Sequence, residues 1–262
     1  MPDAAIAAPL APVTRTVAGV LAVLLVDHQP QHRAWAWLRL MRGPAGLRGT
    51  PGLRFAKVMG SGEDGGFSLR PSGTHQGLLC LFDDVAQAQS FLDGPVADGY
   101  RQRARQWWSG LMAVTSSRGS WDGCGWGVTP AATLAAAGVS PVPVAGEPIA
   151  VLTRASIRPY KAASFWRRSP RTERAIAEAE GCDLAMGLGE APLLRQCTFS
   201  LWRDEAAMTA YAHSGAHGDA VRAAYRDGFF SESMFVRMRV LRRQGHWPAH
   251  AAAAPVREAA HV

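Results

Sequence analysis

The sequence predicts an α+β protein in which two tandem ferredoxin-like units, each β-α-β-β-α-β, form an α+β barrel within one chain. Two observations support this prediction. Residues 16–126 and residues 149–247 form two blocks of similar length that repeat each other in order. A stretch rich in Ala and Pro separates them at 127–148, and a second such stretch follows at 248–262. We therefore expect two repeats, a linker between them and a flexible C-terminal tail.

The repeat rests on four pairs of short segments. LCLFDD at 79–84 corresponds to FSLWRD at 199–204, an offset of 120 residues. The other pairs are Met59-Gly60 with Met186-Gly187 at 127, Trp107-Trp108 with Phe229-Phe230 at 122, and Trp121 with Trp247 at 126. Loops of different length explain small changes of offset between two copies of one fold. The constant order of the pairs therefore indicates a duplication.

Each block has the same order of predicted elements. In the second block we expect a strand at 149–157, a helix at 159–180 interrupted near Pro170, and two strands at 182–188 and 195–202. Asp204 is expected to cap a helix that breaks near Gly215, and a strand follows at 232–241. The first block reads as strand 17–26, helix 35–42, strands 55–58 and 78–82, a helix after Asp83 and strand 112–117.

Composition narrows the function classes. The net charge is +7, and all basic residues except Lys57 and Lys161 are arginines. Arginine suits carboxylate, phosphate or anionic membrane partners, but an arginine excess also arises from genome composition. No ribonucleoprotein motif is present, so we expect no nucleic-acid partner. The four cysteines form no C-x-x-C pair, and the apolar run 17–26 is too short to cross a bilayer, which favours a cytoplasmic protein.

Four longer segments carry a resemblance to a known family. PGLRFAKVMGSGEDGGFSLRP (51–71), RASIRPYKAASFW (154–166), LAMGLGEAPLLRQCTFSLW (184–202) and SESMFVRMRVLRRQGHW (231–247) are similar to the spheroidene monooxygenases, which are carotenoid ketolases. The resemblance spans both blocks. It implies an oxidoreductase that uses O2 to introduce a keto group into an acyclic carotenoid. It further implies haem as cofactor and electrons from a small carrier such as ferredoxin.

A haem requires an axial His, Cys, Met or Tyr on a fixed element. His250 and His261 lie in the tail, His75 in a Gly/Pro-rich stretch and His28 beside Pro30, so we expect none of these four to be held rigidly. The last predicted helix of the second block carries His213 and His217. The corresponding stretch of the first block, residues 94–97, has no histidine, which suggests that one copy holds the cofactor.

His217 is the predicted iron ligand. Val221 and Ala224 follow it at i+4 and i+7 and give a small apolar face. By resemblance, related haem-binding α+β barrels carry a histidine on this helix. Arg222 is a candidate for binding a haem propionate. Two readings stay open for the histidines: a capping or surface role, and a two-histidine metal site with His213, although the next helical turns, Ala220 and Val221, carry no carboxylate to complete an iron triad.

The remaining predictions concern partners. An arginine run (Arg154, Arg158, Arg167, Arg168, Arg171, Arg174) could bind propionates or an anionic membrane, although a solvated helix face explains most of it. The nine tryptophans are expected mainly in the core, with a minority able to line a groove for a polyene. Because carotenoids are insoluble in water, we expect peripheral contact with the inner membrane. The alternative function is a non-catalytic haem-binding or ligand-binding α+β barrel.

Overall fold

The computed structural model describes residues 11–66, 68, 70–142, 144–167, 169–191, 193–213, 218, 223–224 and 226–247, with the side chains of 169–172 left aside. The strands are β1 (Arg15–Val17), β2 (Val20–His28), β3 (Leu53–Gly62), β4 (Pro71–Phe82), β5 (Ala104–Gly119), β6 (Cys124–Trp126), β7 (Ile149–Ile157), β8 (Cys182–Ala191), β9 (Arg195–Trp202) and β10 (Phe230–Gly245). The helices are α1 (Arg33–Arg42), α2 (Val85–Leu92), α3 (Pro95–Arg101), α4 (Ala131–Ala136), α5 (Ala162–Trp166), α6 (Ser169–Ala177) and α7 (Glu205–His213).

Eight strands close an antiparallel barrel in the order β10-β5-β2-β4-β3-β8-β9-β7. This confirms an α+β barrel. The first four strands of the barrel, β2 to β5, are neighbours in the order β5-β2-β4-β3. The last four repeat that arrangement as β10-β7-β9-β8, and β1 and β6 form a separate two-stranded sheet. The two seams between the halves differ. Strands β5 and β10 pair along most of their length, whereas β3 and β8 share the single pair Gly60↔Gly189.

Apolar side chains fill the barrel and the space beneath the helices. Alternate residues of the strands point inward, as the two-residue period of a strand requires, and they form one interior core from both halves. The opposite faces of the strands pack beneath helices. Strand β2 is buried at every residue, which confirms that the apolar run near 17–26 is a core strand. None of the helices in the described residues is long and apolar enough to cross a bilayer.

Local signals placed several elements correctly. The carboxylate of Asp204 accepts a hydrogen bond from the Ala207 N–H at 2.8 Å, which confirms the predicted cap of α7. The predicted helix at 159–180 is interrupted, since α5 ends at Trp166 and α6 begins at Ser169. Gly215, where we expected the last helix to break, lies outside the described residues. The stretch expected to be a linker contains helix α4, and its Thr129 hydroxyl donates to the Gly19 carbonyl at 2.6 Å.

Two of the four repeat anchors were wrong in register. Leu79 and Phe199 occupy equivalent positions, and the residues opposite them are Lys57 and Met186. Met59 therefore lies two residues away from the position of Met186. Trp108 pairs with Leu25, and Met234 pairs with Arg154, which is the residue of the second half equivalent to Leu25. Met234 is therefore the counterpart of Trp108, and the pair Phe229-Phe230 lies four residues before the expected position.

Candidate functional site

The predicted iron ligand and its neighbours fall in the least described part of the chain. His217, Val221 and Arg222 lie outside the described residues. His213 is the last residue of α7, where it is exposed and its Nδ1 lies 3.0 Å from the carbonyl oxygen of Thr209. Among the residues whose positions are described, no group of three His, Cys, Asp or Glu could hold a metal ion. The described part of the candidate site is therefore the sheet face on which α7 packs.

A row of four residues, three of them small, crosses the helix-facing side of the second half. Gly187, Thr198, Thr153 and Phe235 stand opposite one another on β8, β9, β7 and β10. Thr153 lies on an inner strand of a closed sheet, where full burial is expected, yet it is exposed to solvent. Thr198 beside it is half-buried. The sheet is thus open at its centre.

The equivalent row of the first half is closed. Val58, Leu78 and Leu24 occupy the positions of Gly187, Thr198 and Thr153, and the two leucines are 0% exposed. Helices α2 and α3 pack directly on them through residues such as Phe91 and Tyr100. Two leucines and a valine are therefore replaced by two threonines and a glycine in the second half. Those replacements remove apolar volume at three positions of the row, whereas at the fourth the second half has Phe235 where the first half has Ser109.

The surroundings of the open row are aromatic and apolar. Val151, on the same face of β7, packs with Ile176 of α6 and Met208 of α7. Phe235 belongs to the row itself and packs against this same cluster. A flat apolar group could therefore lie against the sheet between hydrophobic walls and still meet the hydroxyls of Thr153 and Thr198. The chemistry of this face fits a haem or the end of a polyene.

A second polar assembly lies inside the barrel, at one of its mouths. The guanidinium of Arg154, 1% exposed, pairs with Glu232 and lies 3.6 Å from Asp122 and 3.8 Å from Glu190. The indole N–H of Trp121 donates to Glu190 at 2.9 Å. Two more cations complete the cluster: Lys57, which binds Asp122 and Glu190, and Arg195, which binds Asp122. Three cations thus balance three carboxylates.

This charged cluster compensates for the weak backbone seam. Lys57 lies on β3, and Glu190 follows Gly189 on β8, so their ion pair joins the strands that share one backbone pair. Burial alone would raise the pKa of Glu232, but the Gly123 N–H, the Ser120 hydroxyl and Arg154 together lower it. The expectation that Arg154 belongs to a solvated run of arginines was therefore wrong. It lies on a strand, facing inward.

The comparisons with known proteins decide the family. The chain is 48% identical over 236 residues to the spheroidene monooxygenase of Rubrivivax gelatinosus, covering 89% of this chain and 87% of that one. It is 34% identical over 215 residues to the spheroidene monooxygenase of Rhodobacter capsulatus, covering 81% and 86%. No protein-family model matches the sequence. The chain belongs to the spheroidene monooxygenase family.

Membership in the spheroidene monooxygenase family confirms the resemblance seen in the sequence and makes the chain an oxygen-dependent oxidoreductase. Among solved structures, an aldoxime dehydratase superposes with a TM-score of 0.54 at 11% identity, over 84% of this chain and 81% of that one. That likeness supports the α+β barrel fold alone.

The first half of this family member contains two histidines that we expected to be loosely held, and both expectations were wrong. His28 ends strand β2, is 0% exposed and packs its ring against Trp35 and Tyr100, with centroids 5.6 Å and 5.8 Å away. Burial lowers its pKa. His75 lies within β4, where Ser72 Oγ is 2.8 Å from its Nδ1. Gly and Pro nearby suggested a loop, but β4 begins already at Pro71.

The rings of both buried histidines lie against aromatic side chains, His28 against Trp35 and Tyr100 and His75 against Trp247. A surface cavity of about 310 Å³ lies elsewhere in the first half, between Pro44 and Ala56. Its lining contains Leu47, Leu53 and Phe55 with two arginines, and no His, Cys, Met or Tyr that could ligate a haem iron. The open row of the second half remains the candidate site.

Proposed function

We propose that the chain is a haem-dependent monooxygenase that introduces a keto group into an acyclic carotenoid such as spheroidene, using O2 and external electrons. The observation that carries the proposal is the open row Gly187–Thr198–Thr153 on a sheet whose other half is closed by leucines. The activity for which the two relatives are named supplies the substrate class. A ferredoxin-like protein is the proposed electron carrier.

Haem is the cofactor that this face would accept. His217 is proposed as its axial ligand and Arg222 as a propionate partner. When bound, haem would supply an iron able to activate O2, which the side chains of the described residues do not provide. The walls around the row, Val151 and Phe235 among them, would exclude water and hold the apolar polyene.

The threonine hydroxyls have a separate role in the proposal. Thr153 and Thr198 face each other across β7 and β9, so their Oγ1 atoms project on the same side of the sheet. Each hydroxyl can donate one hydrogen bond and accept two. They would hold the oxygenated end of the polyene by donating to the oxygen of the keto group once it has been introduced. Replacing a hydroxyl by a methyl group keeps the shape and removes that donor.

The finer architecture is also part of this proposal. We infer that each half is one ferredoxin-like unit and that the two arose by duplication, because both halves have the same strand order. The first half has no histidine at 94–97, which supports a cofactor in the second half alone. We further propose that the protein works in the cytoplasm in peripheral contact with the inner membrane, where its substrate resides.

The test combines a spectrum with turnover. Protein purified with haem should show a Soret band that shifts when dithionite and CO are added. Expression in a host that accumulates spheroidene should yield the keto product, and Thr153→Val should retain the Soret band while lowering turnover. Colourless protein that cannot be reconstituted with haem would overturn the proposal that haem is the cofactor. Haem-loaded protein that leaves every carotenoid unchanged would favour the alternative, a non-catalytic haem-binding barrel.

A further inference from the structure

Helix α1 is apolar on both of its sides. Its inner side packs on the sheet through Trp35, Ala36 and Leu40. Its outer side carries Trp37 and Leu38, each 47% exposed, and Met41, 81% exposed. Single exposed apolar residues are ordinary, but several large ones on one side of a helix form a patch that marks an interaction site.

The outer residues form one stripe with cationic borders. At about 100° per residue, Ala34, Trp37, Leu38 and Met41 fall within a single arc of the helix surface. Arg33 lies beyond one edge of that arc and Arg42 beyond the other. We call these six residues the α1 patch. After the helix ends, the exposed Pro44 and Ala45 extend the apolar surface.

The segment of chain that carries the α1 patch has charges of one sign. Between Asp27 and Glu63 the sequence contains no acidic residue and six cations: Arg33, Arg39, Arg42, Arg48, Arg54 and Lys57. Arg54 and Lys57 are paired with carboxylates. Arg33, Arg39, Arg42 and Arg48 form no ion pair with any carboxylate in the described ranges. Four cations thus remain to attract an anionic partner.

We propose that the α1 patch docks this protein on the surface of an anionic lipid bilayer. An apolar helix face bordered by arginines is suited to the boundary between headgroups and acyl chains, where Trp and Met enter the apolar layer. The arginine stems can cover apolar surface while their guanidinium groups reach lipid phosphates. A protein surface carrying only complementary acidic groups would leave Trp37 and Met41 unburied. The inference rests on the proposed function insofar as a carotenoid must be drawn from a membrane.

The experiment measures sedimentation of the holoenzyme with vesicles that contain no carotenoid. Phosphatidylcholine vesicles containing phosphatidylglycerol are compared with pure phosphatidylcholine, at low and at high salt. We expect binding to the anionic vesicles that weakens with salt. Arg42→Gln should weaken binding on the order of fivefold, the loss of one cation near the surface. Met41→Glu should abolish it, and Val142→Glu, a matched change at a residue 67% exposed, should not affect it.

A second measurement locates the contact. Lipids brominated on their acyl chains should quench tryptophan fluorescence in the wild type and less in Trp37→Phe, which keeps the patch apolar. Equal vesicle binding by the wild type and by Met41→Glu would overturn the proposal. So would self-association that Met41→Glu abolishes while vesicle binding is absent, since a second copy would then cover the patch. Turnover of detergent-dispersed carotenoid should survive Met41→Glu, so failure of the docking surface and failure of the enzymatic proposal give different results.

Discussion

Replacement of Arg154 by methionine should destabilise the barrel strongly. The side chain is 1% exposed, and its partner Glu232 is 7% exposed. Removing one member of a buried ion pair leaves a buried charge without its partner, which costs about 3–5 kcal/mol. Glu232 would keep the Ser120 hydroxyl and the Gly123 N–H as donors at 2.7 Å and 2.8 Å. The expected loss is therefore near the lower end, about 3 kcal/mol.

The assay is urea unfolding followed by tryptophan fluorescence and far-ultraviolet circular dichroism on haem-free protein. Arg195→Met is the matched control, because Arg195 binds the same cluster through Asp122 at 3.0 Å but has a side chain 45% exposed. An exposed pair contributes about 0–1 kcal/mol, so this variant should differ little from the wild type. Equal losses in the two variants would refute the argument that burial decides the cost.

A double-mutant cycle isolates the pair. Glu232→Gln alone leaves Arg154 with Asp122 and Glu190 beyond 3.5 Å, so it should also destabilise. The double variant should lose less than the sum of the two single losses, by about 1–3 kcal/mol for groups in direct contact. The Gly123 N–H, the Ser120 hydroxyl and Arg154 hold the pKa of Glu232 below the ordinary 4.5. Their contribution to the free energy of unfolding is therefore present above pH 4.5 and is lost as the pH falls through the lowered value. Strict additivity of the two losses would refute the coupling.

Three further predictions concern the site and the histidines. Thr153→Leu should reduce haem retention at least tenfold. It should change the free energy of unfolding by no more than about 1 kcal/mol, since Leu occupies the equivalent position in the first half. Titration with haem and urea unfolding test the two parts, and undiminished haem binding would contradict the prediction. His217→Ala should lose the Soret band and His213→Ala should retain it; the reverse pattern would move the ligand by one turn. Acidification below pH 6.5 should destabilise the wild type, because burial lowers the pKa values of His28 and His75 and the folded protein takes up protons less readily than the unfolded chain. His28→Gln should reduce this dependence between pH 5 and pH 6.5, leaving the part due to His75, and an unchanged slope would contradict the prediction.

The sequence predicted those features that neighbouring residues determine. Strand β2 and the Asp204 cap follow from short patterns of apolar and polar residues, and the structure confirms both. The family assignment likewise depended on contiguous segments. In each case the information lies within a few turns or one strand length of the chain, where composition limits the local structure strongly.

Features that depend on strand register could not be predicted. A one-residue shift moves a side chain to the opposite face of a sheet, so the sequence near Arg154 gave no sign that its side chain enters the barrel. The same limit applied to His28, whose ring packs against residues of α1 and α3, and to His75, whose ring packs against Trp247 just after β10. The exposed Thr153 was missed for the same reason. Its significance appears only when Leu24 is identified as its counterpart, and the alignment of the repeats lacked the accuracy to do so.

Among the described residues, the first half buries more apolar side chains beneath its helices than the second half. Of the described residues, fifteen form the buried cluster beneath the helices of the first half, whereas five form its counterpart in the second. Opening a site on the second sheet forfeits burial of two leucines and a valine, each worth about 1.5–3 kcal/mol when fully buried. A single copy of this small unit could not readily absorb that loss, because the net stability of a domain is only about 5–15 kcal/mol. Because both halves close one barrel, the first half and the shared interior can compensate for that loss. This arrangement also lets β7 differ from β2 on both faces at once, with Thr153 opening the helix side and Arg154 charging the interior.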